Sequence, residues 1–127
     1  MAEISEVASA PISDASILKS LVAPTVVDAR DQSEVDGCKG GERIENSIHV
    51  PFNIDGQKQT DRPTTMQEYV AKLEAAKALP ADKSAAVITH CGNGGRGGRA
   101  ATVLKELGYV NAHNGGSPDK IRAALGS

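Results

Sequence analysis

Aromatic side chains are almost absent from this chain, whose 127 residues include no Trp, one Phe and two Tyr. Its core must therefore be built from Val, Ile, Leu and Ala. Flat rings on which unpaired bases could stack are missing, and basic residues are scattered along a chain whose formal net charge is -2. These features argue against nucleic acid and against an anionic membrane as partners. We expect the partner to be a small molecule.

Long apolar runs are also absent, and no stretch approaches the length that spans a bilayer. Residues 1–10 contain acids but no basic segment followed by an apolar one, so we expect no secretory or organellar signal. The two cysteines, Cys38 and Cys91, could form one disulfide, but a reactive thiol instead predicts a reducing compartment and a cytoplasmic protein. The length predicts one domain over residues 1–127.

Short apolar runs alternate along the chain with segments of helical spacing. The apolar, partly β-branched runs predict strands at residues 4–7, 25–27, 48–50, 86–88 and 110–113. Helical spacing and caps predict helices at residues 13–22, 31–36, 64–79, 100–107 and from 118 onward. This alternation is typical of an α/β fold with a mostly parallel sheet, right-handed crossovers and helices on both faces.

The stretch Cys-Gly-Asn-Gly-Gly-Arg at residues 91–96 is the most informative part of the sequence. It follows a predicted strand, so Cys91 would lie at the carboxyl edge of the sheet, where open α/β folds bind ligands. Gly92, Gly94 and Gly95 would let backbone amides converge on the sulfur, and Arg96 and a following helix N-terminus would favour negative charge there. We therefore predict that Cys91 ionises readily and is a nucleophile. The alternative is a core-filling cysteine before an ordinary glycine-rich turn.

Four further side chains outside the cysteine loop need an interpretation. Asp28 and Arg30 end the second strand at the same edge as Cys91 and could brace the cysteine loop. A local ion pair is the alternative, and we favour Asp28 as the brace because it ends the strand directly. Cys38 is predicted to be a thiol on a flexible surface loop, with a role as resolving partner of Cys91 left open. His49 is assigned no role.

Three segments occur in a characteristic order: Val26-Val27-Asp28-Ala29-Arg30 with Glu34 downstream, Ile48-His49-Val50-Pro51, and the loop at residues 91–96. Over roughly residues 26–116 they resemble a single-domain rhodanese, a sulfurtransferase. The resemblance implies a five-stranded parallel sheet and a Cys91 that takes up sulfane sulfur as a persulfide and passes it to cyanide or a thiol. It also implies that amides and charge for the persulfide and for a donor such as thiosulfate or mercaptopyruvate come from Gly92, Asn93, Gly94, Gly95 and Arg96. We expect neither a cofactor nor a metal ion.

Departures from that family occur at two places. The stretch Gly-Cys-Lys-Gly-Gly-Glu-Arg-Ile stands where many members have Gly-His-Ile, so that Arg43 replaces the usual His. The segment Gly-Gly-Ser-Pro at residues 115–118 lacks the aromatic residues that members carry at the start of the last helix. The sulfur donor is therefore left open. The oligomeric state is left open as well, because loop chemistry does not fix it.

Two other functions are compatible with the sequence. Residues 90–96 are one residue short of the His-Cys-x5-Arg loop of cysteine phosphatases. The shorter spacer makes a tighter cradle, which suits one extra sulfur atom better than a tetrahedral oxyanion. The second alternative is a non-catalytic binding module with the same fold.

Overall fold

The computed structural model of the chain describes residues 7–53 and 63–125. Helices and strands follow in the order α1 Ala15–Ser20, β1 Thr25–Asp28, α2 Gln32–Asp36, β2 Ile48–His49, α3 Met66–Ala75, β3 Val87–His90, α4 Gly95–Glu106, β4 Ala112–Gly116 and α5 Pro118–Leu125. The strands form one sheet in the order β2-β1-β3-β4, and every pairing is parallel. The predicted α/β fold with a parallel sheet is confirmed.

Helices cover both faces of this sheet. Because successive side chains of a strand point to opposite sides, neighbouring residues of β1 belong to different core clusters. Val27 in β1 belongs to a core cluster that includes Leu104 of α4 and residues of α3. Its neighbour Val26 belongs to a second cluster with Leu18 of α1 and Ile121 of α5. The strand is buried from both sides, which explains why its sequence is an apolar run rather than an alternating pattern.

The described residues form four strands, not the five expected. Of the strand predicted at residues 4–7, residues 4–6 lie outside the described part of the chain. Beside β4 the described part of the chain makes an isolated parallel bridge between Ile12 and Asn114. Pro11 precedes that bridge and has no N–H to donate, so a regular ladder cannot continue through it.

Helix α3 begins at Met66, two residues after the predicted start at residue 64, with Thr65 as its N-cap in a capping box with Glu68. It ends earlier than the predicted residue 79, because Lys77 adopts a left-handed conformation with φ of 56°. The amides of Lys77 and Ala78 donate to the last helical carbonyls, as in a Schellman motif. The sequence did not signal this end because a lysine, not a glycine, takes the left-handed position.

Helix α4 begins at Gly95, five residues before the predicted start at residue 100. The glycines that indicated a longer loop instead let this helix approach its neighbours closely. A Cβ on Gly97 would lie 2.7 Å from the Cα of His90, and one on Gly98 would lie 2.4 Å from the carbonyl oxygen of Ala10. Gly95 and Arg96 therefore belong to the first turn of the helix rather than to the loop.

Smaller differences concern α1, β4 and a long connection. Helix α1 ends at Ser20 instead of residue 22, and its N-cap Asp14 makes no side-chain capping bond. Strand β4 covers Ala112–Gly116 rather than residues 110–113, and Val110 is 78% exposed. The connection predicted at residues 52–63 lies outside the described residues at positions 54–62.

Candidate active site

Cys91 follows β3 directly, at the carboxyl edge of the sheet, and its exposed fraction is 0%. Its backbone amide donates to the carbonyl of Gly116 at 3.1 Å. Its Sγ accepts the backbone N–H of Gly94 at 3.0 Å, and the thiol donates to Oδ1 of Asn93 at 3.7 Å. The structure thus brings the predicted nucleophile and two residues of its loop together in one set of contacts.

Gly94 is the N-cap of α4 and has a φ of 102°, a conformation that favours glycine. This conformation turns its N–H toward the sulfur at the positive end of a 12-residue helix. The next amide is used differently, since Gly95 N–H donates to Asn93 Oδ1 at 3.2 Å. The prediction was that several amides would converge on the sulfur; among the described contacts the N–H of Gly94 donates to it, whereas the N–H of Gly95 donates to a neighbouring side chain.

Arg96 is held by two acidic residues of the α2 region rather than directed at the thiol. Its guanidinium makes a two-point ion pair with Glu34, through Nη1 to Oε1 and through Nη2 to Oε2 at 3.0 Å. Nη1 also lies 3.3 Å from Oδ1 of Asp31. The hydrogen bonds to Glu34, together with the charges of Glu34, Cys91 and Asp31, raise the pKa of Arg96. Arg96 therefore joins α4 to α2 and acts on Cys91 only through its charge.

Asp28 and Arg30 form the local ion pair that was considered as the alternative, and both are fully buried. Burial alone would raise the pKa of Asp28, but hydrogen bonds from Arg30 and the nearby His90 outweigh it and lower that pKa. Arg30 has a second set of contacts, since its Nη1 donates to the carbonyls of Lys39 at 3.0 Å and Gly41 at 2.7 Å. Arg30 therefore makes the longer-range contacts, and Asp28 orients Arg30. That Asp28 braces the cysteine loop stays a prediction.

Residues 37–41, which we call the roof segment, lie against the cysteine loop. A Cβ on Gly40 would lie 2.8 Å from the Cα of Gly92, and Gly40 has a φ of 91°. Cys38 in this segment is exposed, and both cysteines are free thiols. The segment was predicted to be a surface loop. Hydrogen bonds from Arg30 also hold it beside the site.

Two buried side chains near Cys91 were not identified from the sequence. His90 ends β3, and its Nε2 has no hydrogen-bond partner among residues 7–53 and 63–125 and lies 3.9 Å from Oδ2 of Asp28. Burial lowers the pKa of His90 more than Asp28 raises it. Asn114, in β4, is 2% exposed and donates to the carbonyl of Gly94 at 2.9 Å. A single His in an apolar run and an Asn before two glycines carry no signal of such contacts.

Two further properties bear on what this site could hold. Within the described ranges, His, Cys, Asp and Glu side chains form no group of three or more that could bind a metal ion. None of the helices described is both long enough and apolar enough for a membrane crossing. The candidate reactive group at this edge of the sheet is a buried thiol beside a helix N-terminus.

Comparison with known proteins agrees with this arrangement. The family model described as Rhodanese-like domain matches residues 11–117 of the 127-residue chain. No curated protein matches the chain. The match covers the whole sheet, the Asp28–Arg30 pair and the cysteine loop. The chain therefore belongs to the rhodanese-like domain family.

Proposed function

We propose that this protein is a sulfurtransferase in which Cys91 carries sulfane sulfur as a persulfide. The observation that carries the proposal is the N–H of Gly94, held 3.0 Å from Cys91 Sγ at the start of α4. A donor fixed at that place stabilises negative charge on sulfur in the thiolate and in the persulfide anion. A cysteine that only filled the core would not need a hydrogen-bond donor that stabilises negative charge on its sulfur.

The reaction takes place in two steps. The Cys91 thiolate attacks the outer sulfur of thiosulfate, the S–S bond of the donor breaks, and sulfite leaves with the bonding electron pair. Cyanide or a thiolate then attacks the terminal sulfur of the persulfide, and the S–S bond to Cys91 breaks to restore the thiolate. With mercaptopyruvate the C–S bond breaks instead, the enolate of pyruvate leaves with the bonding electron pair, and water then protonates its carbon. No cofactor or metal takes part in either step.

Phosphate ester hydrolysis fits these contacts less well. A phosphoryl group in its transition state needs donors for three oxygens at once. Here the N–H of Gly95 already donates to Asn93, and the guanidinium of Arg96 is paired with Glu34. One extra sulfur atom needs fewer donors than three oxygens, so these contacts favour sulfur transfer over phosphatase activity.

Access to Cys91 restricts the substrates that we propose. The residue is fully buried, and the roof segment lies against the adjacent Gly92. We therefore propose small donors such as thiosulfate or mercaptopyruvate and small acceptors such as cyanide or a low-molecular-weight thiol. The chemistry requires reduced Cys91, which is consistent with a reducing compartment such as the cytoplasm.

The proposal is tested by comparing sulfur and phosphoryl substrates on the same protein. Thiocyanate formation from thiosulfate or mercaptopyruvate and cyanide should be catalysed, and Cys91→Ser should abolish it while keeping the fold, because a hydroxyl cannot carry the sulfane atom. Hydrolysis of an aryl phosphate should be negligible. A protein that prefers the aryl phosphate would be a phosphatase, and one that is inactive with all three substrates would support a binding module.

A further inference from the structure

Asn114 lies between the two backbone groups that contact Cys91. Its Nδ2 donates to the carbonyl oxygen of Gly94 at 2.9 Å, and its Oδ1 accepts the N–H of Gly116 at 3.0 Å. Gly94 donates its own N–H to Cys91 Sγ, and Gly116 accepts the N–H of Cys91. One buried side-chain amide therefore holds both of these backbone partners of the cysteine.

On the Gly116 side, the bond belongs to an irregularity in the sheet. The pairing of β3 with β4 shifts between Thr89, which faces Asn114, and His90, which faces Gly116. Asn114 closes this bulge by bonding to the amide two residues ahead, an Asx-type turn. The bulge places the carbonyl of Gly116 where it accepts the N–H of Cys91 at 3.1 Å.

On the Gly94 side, the bond fixes the first residue of the helix cap. The carbonyl of Gly94 accepts from Asn114 Nδ2 and from the N–H of Gly98 at 2.8 Å. These two donors hold Gly94 at a φ of 102°, and that angle determines where its N–H points. A second acceptor of the amide group, the carbonyl of Ala10 at 2.9 Å, confirms which end of the Asn114 side chain is the nitrogen.

We propose that Asn114 is a positioning residue for the Cys91 thiolate. By holding Gly94 and Gly116, it keeps the Gly94 N–H aimed at the sulfur while Cys91 changes between thiol, thiolate and persulfide. The inference rests on the proposed function in taking Cys91 as the reactive group. Asn114 itself contacts neither the sulfur nor a substrate in this arrangement, and its effect passes through Gly94.

The test measures how the thiolate of Cys91 responds to Asn114. In a Cys38→Ser background, which leaves one thiol, the far-ultraviolet absorbance of the thiolate is followed against pH. Asn114→Ala removes the donor to Gly94, and we expect its ionisation midpoint to move upward by about one pH unit, the scale of one hydrogen bond to a charged group. Asn114→Asp should move the midpoint further, because it loses the same donor and adds a negative charge. The kcat for sulfur transfer should fall by about tenfold, with less change in KM for thiosulfate.

Thr102→Val is the matched control. Thr102 Oγ1 donates to the carbonyl of Ala8 at 2.7 Å and to that of Gly98 at 3.1 Å, so this variant removes bonds of α4 to the N-terminal segment and within the helix, whereas Gly94 and Gly116 keep their hydrogen bonds to Asn114. Its midpoint should equal that of the background. An unchanged midpoint in Asn114→Ala, or an equal shift in Thr102→Val, would overturn the inference. If Asn114→Ala shifts the ionisation midpoint but the Cys38→Ser background itself transfers no sulfur, the proposed function is wrong and the role of Asn114 stands.

A measurement on the unsubstituted Asn114 covers the case in which the variants do not fold. In the Cys38→Ser protein, the side-chain amide signals of Asn114 and the backbone amide signal of Gly94 are followed by NMR during the same titration. Both should shift with the midpoint of the thiolate, because the three groups form one chain of hydrogen bonds. Asn114 signals that stay constant while Cys91 ionises would contradict the inference.

Discussion

Arg96 and Glu34 form a two-point ion pair that connects the first turn of α4 to α2 across 62 positions of sequence. Glu34 also accepts the N–H of Asp31 in the capping box of α2 at 2.9 Å. Each partner shifts the pKa of the other: Arg96 lowers the pKa of Glu34, and Glu34 raises the pKa of Arg96. The guanidinium of Arg96 therefore has a fixed acidic partner before any anionic substrate arrives.

The ion pair predicts how substitutions of Arg96 and Glu34 act on sulfur transfer. Arg96→Ala should lower kcat by about tenfold because the start of α4, and with it Gly94, loses its anchor. Arg96→Lys should recover part of the loss, and Glu34→Gln should resemble Arg96→Lys, since both weaken the same pair. Steady-state kinetics with thiosulfate give kcat and KM for each variant. If Arg96→Ala raises only KM and Glu34→Gln has no effect, Arg96 binds the donor directly and the anchoring role is wrong.

We expect substitutions of two glycines in the roof segment to differ in their effect on the free energy of unfolding and on sulfur transfer. Gly40→Ala should lower the free energy of unfolding by at least about 1–2 kcal/mol, because alanine is strained at positive φ and its Cβ would collide with Gly92. Sulfur transfer should fall as well, since the segment would lift from the cysteine loop. Gly37→Ala is the control: its φ is -91°, and its Cβ would lie 3.4 Å from the nearest atom outside its own neighbours. Urea unfolding and transfer assays check both variants, and equal effects would show that the contact with Gly92 is unimportant.

The two thiols should differ in accessibility. Cys38 is exposed and Cys91 is fully buried. A bulky maleimide should therefore modify Cys38 alone in the native protein and both cysteines after unfolding in urea, which peptide mapping would show. Cys38→Ser should keep full sulfur transfer from thiosulfate. Loss of transfer in that variant would mean that Cys38 takes part as a resolving thiol.

Buried His90 predicts that stability falls on mild acidification. Burial lowers the pKa of His90 below its ordinary value of 6.5, and His113 is shifted in the same direction. The unfolded chain then takes up protons at a higher pH than the folded protein. The stabilising contribution of neutral His90 to the free energy of unfolding is therefore fully present above about pH 7 and is lost as the pH falls from there toward the folded pKa. His90→Gln should therefore show a smaller loss of unfolding free energy between about pH 7 and pH 5 than the wild type. An equal loss in both proteins, measured by urea unfolding, would contradict the assignment to His90.

A second loss follows at lower pH, from the carboxylates. Arg30 and Arg96 hold the pKa values of Asp28 and Glu34 below the ordinary 3.8 and 4.5. Their contribution is present above those values and disappears as the pH falls through the lower folded values. In Glu34→Gln this acid-dependent loss should be smaller than in the wild type, as measured by the same unfolding experiment.

Much of the fold could be predicted from the sequence because its signals are local. Short β-branched runs indicated the central strands, the spacing of apolar residues indicated α3, and a cysteine after an apolar run indicated the carboxyl edge of the sheet. The predictions that were wrong concern positions whose conformation depends on residues distant in the sequence. The glycines Gly97 and Gly98 resemble loop residues until α4 is seen packed on His90 and Ala10, and Lys77 gives no sign of a left-handed cap.

The same limit applies to the site. Cys91 and its loop could be located because the residues that surround the sulfur are adjacent in sequence. The partners that fix this loop come from elsewhere: Glu34 pairs with Arg96, and Asn114 bonds to Gly94 across 20 positions. Residue types and spacing do not reveal which distant group pairs with which, so Arg96 was expected to face the donor and Asn114 was overlooked.

The most direct test of the account is the intact mass of the protein after incubation with thiosulfate or mercaptopyruvate. We predict a gain of one sulfur atom, located on Cys91 by peptide mapping, removed by cyanide and absent from Cys91→Ser. Cys38→Ser should show the same gain as the wild type. A protein that gains no sulfur from either donor, or that gains it on Cys38 alone, would contradict the assignment of Cys91 as the sulfur-carrying residue.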